Sequence, residues 1–77
     1  IMTNEDIDSI YNEVRDILEK LQGVIKEKET LEEMERCGEK VPWTGYLGKI
    51  ITLNLELSQA TAKLALALKE KLDEIKK

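Results

Sequence analysis

The chain of 77 residues contains no histidine, no phenylalanine, one cysteine and one proline. Without histidine it lacks the commonest metal-binding side chain and the usual base of a catalytic triad. A single cysteine, Cys37, excludes an internal disulfide framework and is typical of a reducing compartment. We therefore expect a non-enzymatic protein of the cytoplasm that holds no cofactor and no metal.

The chain also lacks a long uncharged apolar run. Its most apolar stretch, residues 46–68, is interrupted by Lys49, Glu56 and Lys63, so no membrane span is expected. No signal peptide is visible in the sequence. We expect Met2 to be the natural start, with Ile1 added before it.

What the chain does contain is charge and aliphatic side chains: 36% of the residues are charged and 42% are hydrophobic. This mixture is typical of long helices, coiled coils and bundles, and the length allows one domain, residues 1–77. The sequence therefore predicts an all-α fold.

The first helix is predicted over about residues 3–37. Thr3 is its expected N-cap, Asp6 completes a capping box, and Met2 and Ile7 occupy the positions of a hydrophobic staple. Gly38 is a natural residue to end it. Apolar residues recur at spacings of three and four, and a third apolar column follows beside them, which favours a bundle helix. The two main columns are Ile7, Val14 and Leu21, and Ile10, Ile17, Val24 and Leu31.

A connection is predicted over residues 38–44, because Pro42 prevents one continuous helix. Thr44 can cap a second helix over about residues 45–76. The acidic first half and the mildly basic second half favour an antiparallel hairpin.

The second helix is apolar on most of its circumference. Four of its charges up to residue 70 form one line with a period of seven, which we expect to be solvated: Lys49, Glu56, Lys63 and Glu70, continued by Lys77. Leucines 47, 57, 64, 68 and 72 and isoleucines 50, 51 and 75 are assigned to one face. Leu53, Leu55, Ala60, Ala62, Leu66 and Ala67 are assigned to other sides.

One partner helix cannot cover so much apolar surface. We therefore expect a homodimer or higher oligomer, most simply a four-helix bundle with the second helix central. The predicted oligomer interface consists of Leu47, Ile50, Ile51, Leu53, Leu57, Ala60, Leu64 and Leu68.

Two features near the connection have alternative interpretations. Trp43 and Tyr46 either close the end of the bundle over Met34 and Cys37 or anchor a partner protein. Cys37 is expected to be a small buried thiol, and an intermolecular disulfide is the alternative.

Two carboxylate pairs, Glu29 with Glu32 and Glu70 with Asp73, resemble the ExxE and ExxD patterns of all-α magnesium-dependent nucleotide pyrophosphatases. In an antiparallel hairpin the two pairs lie roughly 25 Å apart along the helix axis. Solvated helix faces are therefore the expected structure, and no catalytic site is predicted.

The predicted function is a protein–protein interaction module that acts as an adaptor, regulator or inhibitor of another protein. One alternative is a nucleic-acid-binding hairpin dimer with the architecture of four-helix RNA-binding plasmid regulators, but a net charge of −4 makes nucleic acid an unfavourable partner. The other is an acidic mimic of nucleic acid that blocks a basic groove, suggested by eleven acidic and five basic residues between positions 3 and 37.

Overall fold

The computed structural model describes residues 3–76, which form two helices, α1 (Asn4–Arg36) and α2 (Trp43–Lys76). The helices pack side by side in a rod of 63 × 15 × 15 Å. Two ion pairs show that they run antiparallel: Glu13 contacts Lys63 and, further along α1, Glu27 contacts the earlier Lys49. The predicted helical hairpin is thereby confirmed. Neither helix of this region has the length and apolar character needed to span a membrane.

The start of α1 is held by the predicted capping box. The backbone N–H of Asp6 donates to the Thr3 hydroxyl oxygen at 3.1 Å, and the backbone N–H of Thr3 donates to the Asp6 carboxylate at 3.1 Å. These two bonds satisfy donors that a helix leaves free at its first turn. The staple between Met2 and Ile7 involves a residue outside the described range.

Replacement of Thr3 by alanine is expected to lower the free energy of unfolding by about 1 kcal/mol, the usual effect of losing such a cap. The hydrogen bonds from the backbone and hydroxyl of Thr3 lower the pKa of Asp6 below its ordinary value of 3.8. The part of the box that depends on the Asp6 carboxylate is therefore complete above pH 3.8 and is lost as the pH falls through the lowered pKa, whereas the bond from the Asp6 N–H to the Thr3 hydroxyl does not depend on that charge. Urea unfolding of both proteins should therefore show a larger difference at pH 7 than near pH 2; an equal difference at both values would contradict this assignment.

The turn after α1 is a Schellman motif built on Gly38. Its N–H donates to the carbonyl of Glu35, and the N–H of Glu39 donates to the carbonyl of Met34, both at 3.0 Å. Gly38 has a φ of +82°, which a residue with a Cβ rarely adopts. The prediction that Gly38 ends the first helix is confirmed.

Helix α2 begins at Trp43, two residues before the predicted start. The carbonyl of Pro42 accepts a hydrogen bond from the N–H of Tyr46 at 3.2 Å, so Pro42 itself provides the first carbonyl of the helix. The fixed φ of proline suits this position, and its missing N–H is not needed there. Thr44 consequently lies inside the first turn and does not cap the helix.

The contact between the helices is one narrow seam. The side chains of α1 that are buried or half-buried are residues 7, 10, 14, 17, 21, 24, 31 and 34. On α2 they are residues 43, 46, 50, 53, 57, 60, 64, 67, 71 and 74, again at spacings of three and four. Lys28 interrupts the series on α1 and remains exposed. The best-buried part of the seam joins Val14 and Ile17 to Ala60, with Leu57 and Leu64 packed against them.

The sorting of α2 into faces differs from the prediction. Leu53, Ala60 and Ala67, which were assigned to other sides, face α1 in the seam, whereas Leu47 and Ile51 are exposed. The reason is physical: a helix with apolar residues on most sides offers several seams of similar hydrophobicity. The seam that is used is the one that lets Glu13 and Glu27 of α1 pair with lysines of α2.

Candidate interaction site

One side of the seam carries charge, and we call it the paired flank. In heptad notation the seam residues are at a and d, and the positions beside them are e and g. Glu13 and Glu27 of α1 and Lys63 and Lys49 of α2 are all at g. Their ion pairs, with N–O distances of 3.1 Å and 3.4 Å, bridge the two helices. The part of the predicted line of charges that runs from Lys49 to Glu70 is thus exposed but lies beside α1, with two of its lysines in contact with that helix, whereas Lys77 lies outside the described residues.

The opposite side of the seam is apolar, and we call it the open flank. Eight large apolar side chains in the described region lie on it with exposed fractions between 40% and 72%. Those of α1 are at position e: Tyr11, Leu18 and Ile25. Those of α2 are at e and b: Leu47, Ile51, Leu68, Leu72 and Ile75. These two columns of α2 contain no charged residue between positions 44 and 75.

Small residues fill the middle of the α2 columns, and the donors of two of them are already used. Asn54 donates its side-chain N–H to the carbonyl of Ile50 at 2.8 Å, and Thr61 donates its hydroxyl to the carbonyl of Leu57 at 2.8 Å. Side chains bonded in this way to their own helix offer fewer free donors to solvent. The hydroxyl of Thr61 and one of the two amide N–H groups of Asn54 therefore keep their partners when the open flank is buried.

The eight residues of the predicted oligomer interface are divided between two surfaces. Leu53, Leu57, Ala60 and Leu64 belong to the packed core of the hairpin, and Ile50 is half-buried in the same seam. Leu47, Ile51 and Leu68 are exposed on the open flank. The predicted interface contains no residue of α1, although the third apolar column of that helix, Tyr11, Leu18 and Ile25, is visible in the sequence.

Two exposed leucines lie outside the open flank. Leu55 is at its outer edge, and Leu66 is on the far side of α2, roughly 160° around the helix from Leu68. Leu66 therefore has the same chemistry and similar exposure as the flank residues but a different direction. This makes it a matched control for experiments on the open flank.

The paired flank contains an open groove of about 670 Å³. It exists because Gly23 and Gly48 present no side chain, and a Cβ at either position would meet nothing within 4 Å. Its rim carries Lys20, Lys49 and Glu27, of which the last two form an ion pair. The groove therefore lacks the converging polar groups that would orient a small ligand.

The aromatic residues lie at the turn end of the rod. Trp43 and Tyr46 are half-buried and pack edge to face with their ring centroids 5.8 Å apart. The indole N–H of Trp43 donates to the carboxylate of Glu35 at 2.6 Å, which joins the first turn of α2 to the last turn of α1. Both rings thus contribute to the structure of the hairpin end, and their use as partner anchors stays a prediction.

Cys37 is exposed, and the prediction of a buried thiol was wrong. The N–H of Cys37 still donates to the carbonyl of Glu33 at 3.1 Å, so the residue continues the helical path, but it lies roughly 120° around the helix from Leu31 and therefore points away from the seam. Its thiol lies 4.0 Å from the carboxylate of Glu33.

The predicted carboxylate pairs have lysine neighbours. Lys28 lies 3.1 Å from Glu32, and this hydrogen-bonded contact raises the pKa of Lys28. Lys69 lies 3.1 Å from Asp73. Within residues 3–76 no three acidic or cysteine side chains are grouped closely enough to hold a metal ion.

Comparison with protein-family models, with curated proteins and with solved structures finds no match to this chain.

Proposed function

We propose that this chain is a non-enzymatic protein–protein interaction module that associates through the open flank, first of all with a second copy of itself. The observation that carries the proposal is the asymmetry of the hairpin. One flank of the seam is bridged by ion pairs, whereas the other is apolar on both helices. A continuous apolar surface of this kind marks an interaction site on a soluble protein.

The surface area of the hairpin supports association. The accessible area is 6042 Å² for a mass of 8.8 kDa. A compact monomer of that mass exposes roughly 4,800 Å², so the hairpin exposes roughly 1,200 Å² more. A stable interface of standard size buries about 800 Å² on each partner. The excess is therefore sufficient for one such interface.

The core of the hairpin leads to the same proposal. Among residues 3–76 the buried hydrophobic side chains are Val14, Ile17, Leu31, Ala60 and Ala67, and two of these are alanines. So small a core supplies little of the free energy needed to order two long helices. Association through the open flank would add the missing apolar burial and produce a four-helix bundle.

Self-association should appear as a stability that depends on protein concentration. For a dimer that unfolds to two free chains, a hundredfold dilution is expected to lower the apparent free energy of unfolding by about 2.7 kcal/mol. Urea unfolding followed by circular dichroism at 1 and 100 μM measures this shift, with light scattering at the higher concentration to give the mass. A monomeric mass together with an unchanged urea midpoint would refute self-association.

In this proposal the dimer is the scaffold and another protein is its regulated partner. The exposed charges of α1 and the turn end with Trp43 remain available in a bundle that buries the open flank. An adaptor, regulator or inhibitor of this type would act by occupying a surface of its partner. Affinity capture with the intact protein, compared with a variant in which Trp43 is replaced by alanine, tests whether the turn end is used.

A further inference from the structure

We infer that two copies pair antiparallel through the open flank, with α2 against α2 and the two-fold axis beside the midpoint between Gln59 and Ala60. This inference rests on the proposed self-association and specifies its geometry. It follows from the order of large and small side chains along the open flank, from the edge charges and from the register of the hairpin.

Between Leu47 and Leu72 the open flank of α2 has the same pattern when it is read in either direction, and outside that range Ile75 is matched with the smaller Thr44. From its beginning, the e and b columns present Leu47 and Ile51, then four small residues, then Leu68 and Leu72. The four small residues are Asn54, Ser58, Thr61 and Ala65. A surface that meets its own copy across a two-fold axis must be self-complementary in this way.

Antiparallel pairing about the stated midpoint matches side chains of similar size. Leu47 faces Leu72 of the second copy, and Ile51 faces Leu68 of the second copy. In the centre Ser58 faces Thr61 of the second copy, where short side chains allow the helix axes to approach closely. One amide N–H of Asn54 and the hydroxyl of Thr61 are bonded within α2, which lowers the cost of burying these polar side chains in the central contact.

Helix α1 adds to the same surface. Tyr11, Leu18 and Ile25 extend along it at a spacing of seven, next to the α2 columns. In the antiparallel pair they cover the outer side of the second copy's α2, which places α2 in the centre and α1 at the periphery of the bundle.

The charges at the edge of the flank favour antiparallel over parallel pairing. Lys69 and Lys76 border the open flank at the end of α2, and the charge of Lys69 is already paired with Asp73. A parallel pair would place Lys76 beside its own copy, and like charges in contact oppose association. Since Glu27 lies opposite Lys49, Glu32 lies near the start of α2. The antiparallel pair therefore brings Lys76 of the second copy to the level of Glu32, an opposite charge.

Site-directed cross-linking tests the geometry. In a background with Cys37→Ser, Ser58→Cys is expected to form disulfide-linked dimers under mild oxidation, because position 58 lies next to its own copy at the axis. Leu47→Cys should form at least tenfold less disulfide-linked dimer, since residue 47 of one copy lies roughly 37 Å from residue 47 of the other along the helix axis. An equimolar mixture of Leu47→Cys and Leu72→Cys should restore cross-linking, and mass spectrometry should find the mixed dimer. Leu66→Cys, outside the flank, is the control for random collision.

The outcomes separate the inference from the proposed function. If Leu47→Cys cross-links to itself as readily as Ser58→Cys, the pairing is parallel, and the inference is overturned while self-association stands. If light scattering shows a dimer but no flank position exceeds Leu66→Cys, the dimer uses another surface, and the inference again fails. If every variant with native helicity is monomeric at 100 μM, the proposed self-association fails with it.

Discussion

Exchange of Leu68 for glutamate is expected to weaken dimerisation at least a hundredfold, whereas the same exchange at Leu66 leaves it within about threefold. Leu68 is 49% exposed on the open flank, so burial in an interface would strip water from the new carboxylate without supplying a partner charge. In a two-fold dimer the residue occurs twice, which doubles the loss of free energy of dimerisation. A hundredfold change corresponds to about 2.7 kcal/mol.

Leu66 is the appropriate control because it is 69% exposed and points away from the flank. Leucine and glutamate have similar helix propensities, so neither exchange should change the helicity of α2 by itself. Sedimentation equilibrium over 1–200 μM gives both dissociation constants. Equal weakening by the two exchanges would show that general apolar exposure, rather than the open flank, drives association.

Replacement of Ile17 by alanine is expected to lower the free energy of unfolding by about 2–5 kcal/mol, because it removes a large side chain from the best-buried part of the seam. Ile17 is 8% exposed and packs in one cluster with Val14 and Ala60. Truncation of Leu66 to alanine removes a similar volume from the surface and should change the free energy of unfolding by less than about 0.5 kcal/mol.

Urea unfolding at one fixed protein concentration compares the two truncations. The concentration must be held constant, because the stability of an associating protein depends on it. A loss of less than about 1 kcal/mol for Ile17→Ala would mean that the seam contributes little, and that nearly all of the stability comes from association.

The elements of the fold could be predicted because their signals are local. Thr3 with Asp6, Gly38 and Pro42 each act on backbone groups within a few residues, and the structure places them at the start of α1, at its end and at the start of α2. The bounds of α1 differ from the prediction by one residue at each end, and α2 begins two residues earlier than predicted. Thr44 is a good cap by residue type, but the carbonyl of Pro42 was already available two residues earlier.

The choice of seam on α2 could not be predicted from α2 alone. A helix that is apolar on most of its circumference leaves several faces nearly equivalent, and the difference arises from the partner helix. The useful signal was a pair of equal spacings: Glu13 and Glu27 on α1 match Lys63 and Lys49 on α2 in reverse order. When these residues are paired, the orientation of α2 against α1 is fixed, and it decides which apolar columns lie in the seam and which lie on the open flank.

Cys37 illustrates the same limit at the scale of one residue. Leu31, Met34 and Cys37 are separated by two successive spacings of three, and each turns the side chain by roughly 60° in the same direction. Without a spacing of four to compensate, Cys37 leaves the seam and its thiol is exposed.

Because the connection joins the helices at one end of a 63 Å rod, the outer ends of both helices lie together at the other. Tension applied between Asn4 and Lys76 would therefore load the layers of the seam one after another, and the hairpin would unzip at low force toward Gly38. Tension between the two ends of α2 would act along the axis of that helix and would not separate it from α1, so the layers of the seam would stay closed. The hairpin would thus be compliant or resistant, depending on where a partner attaches.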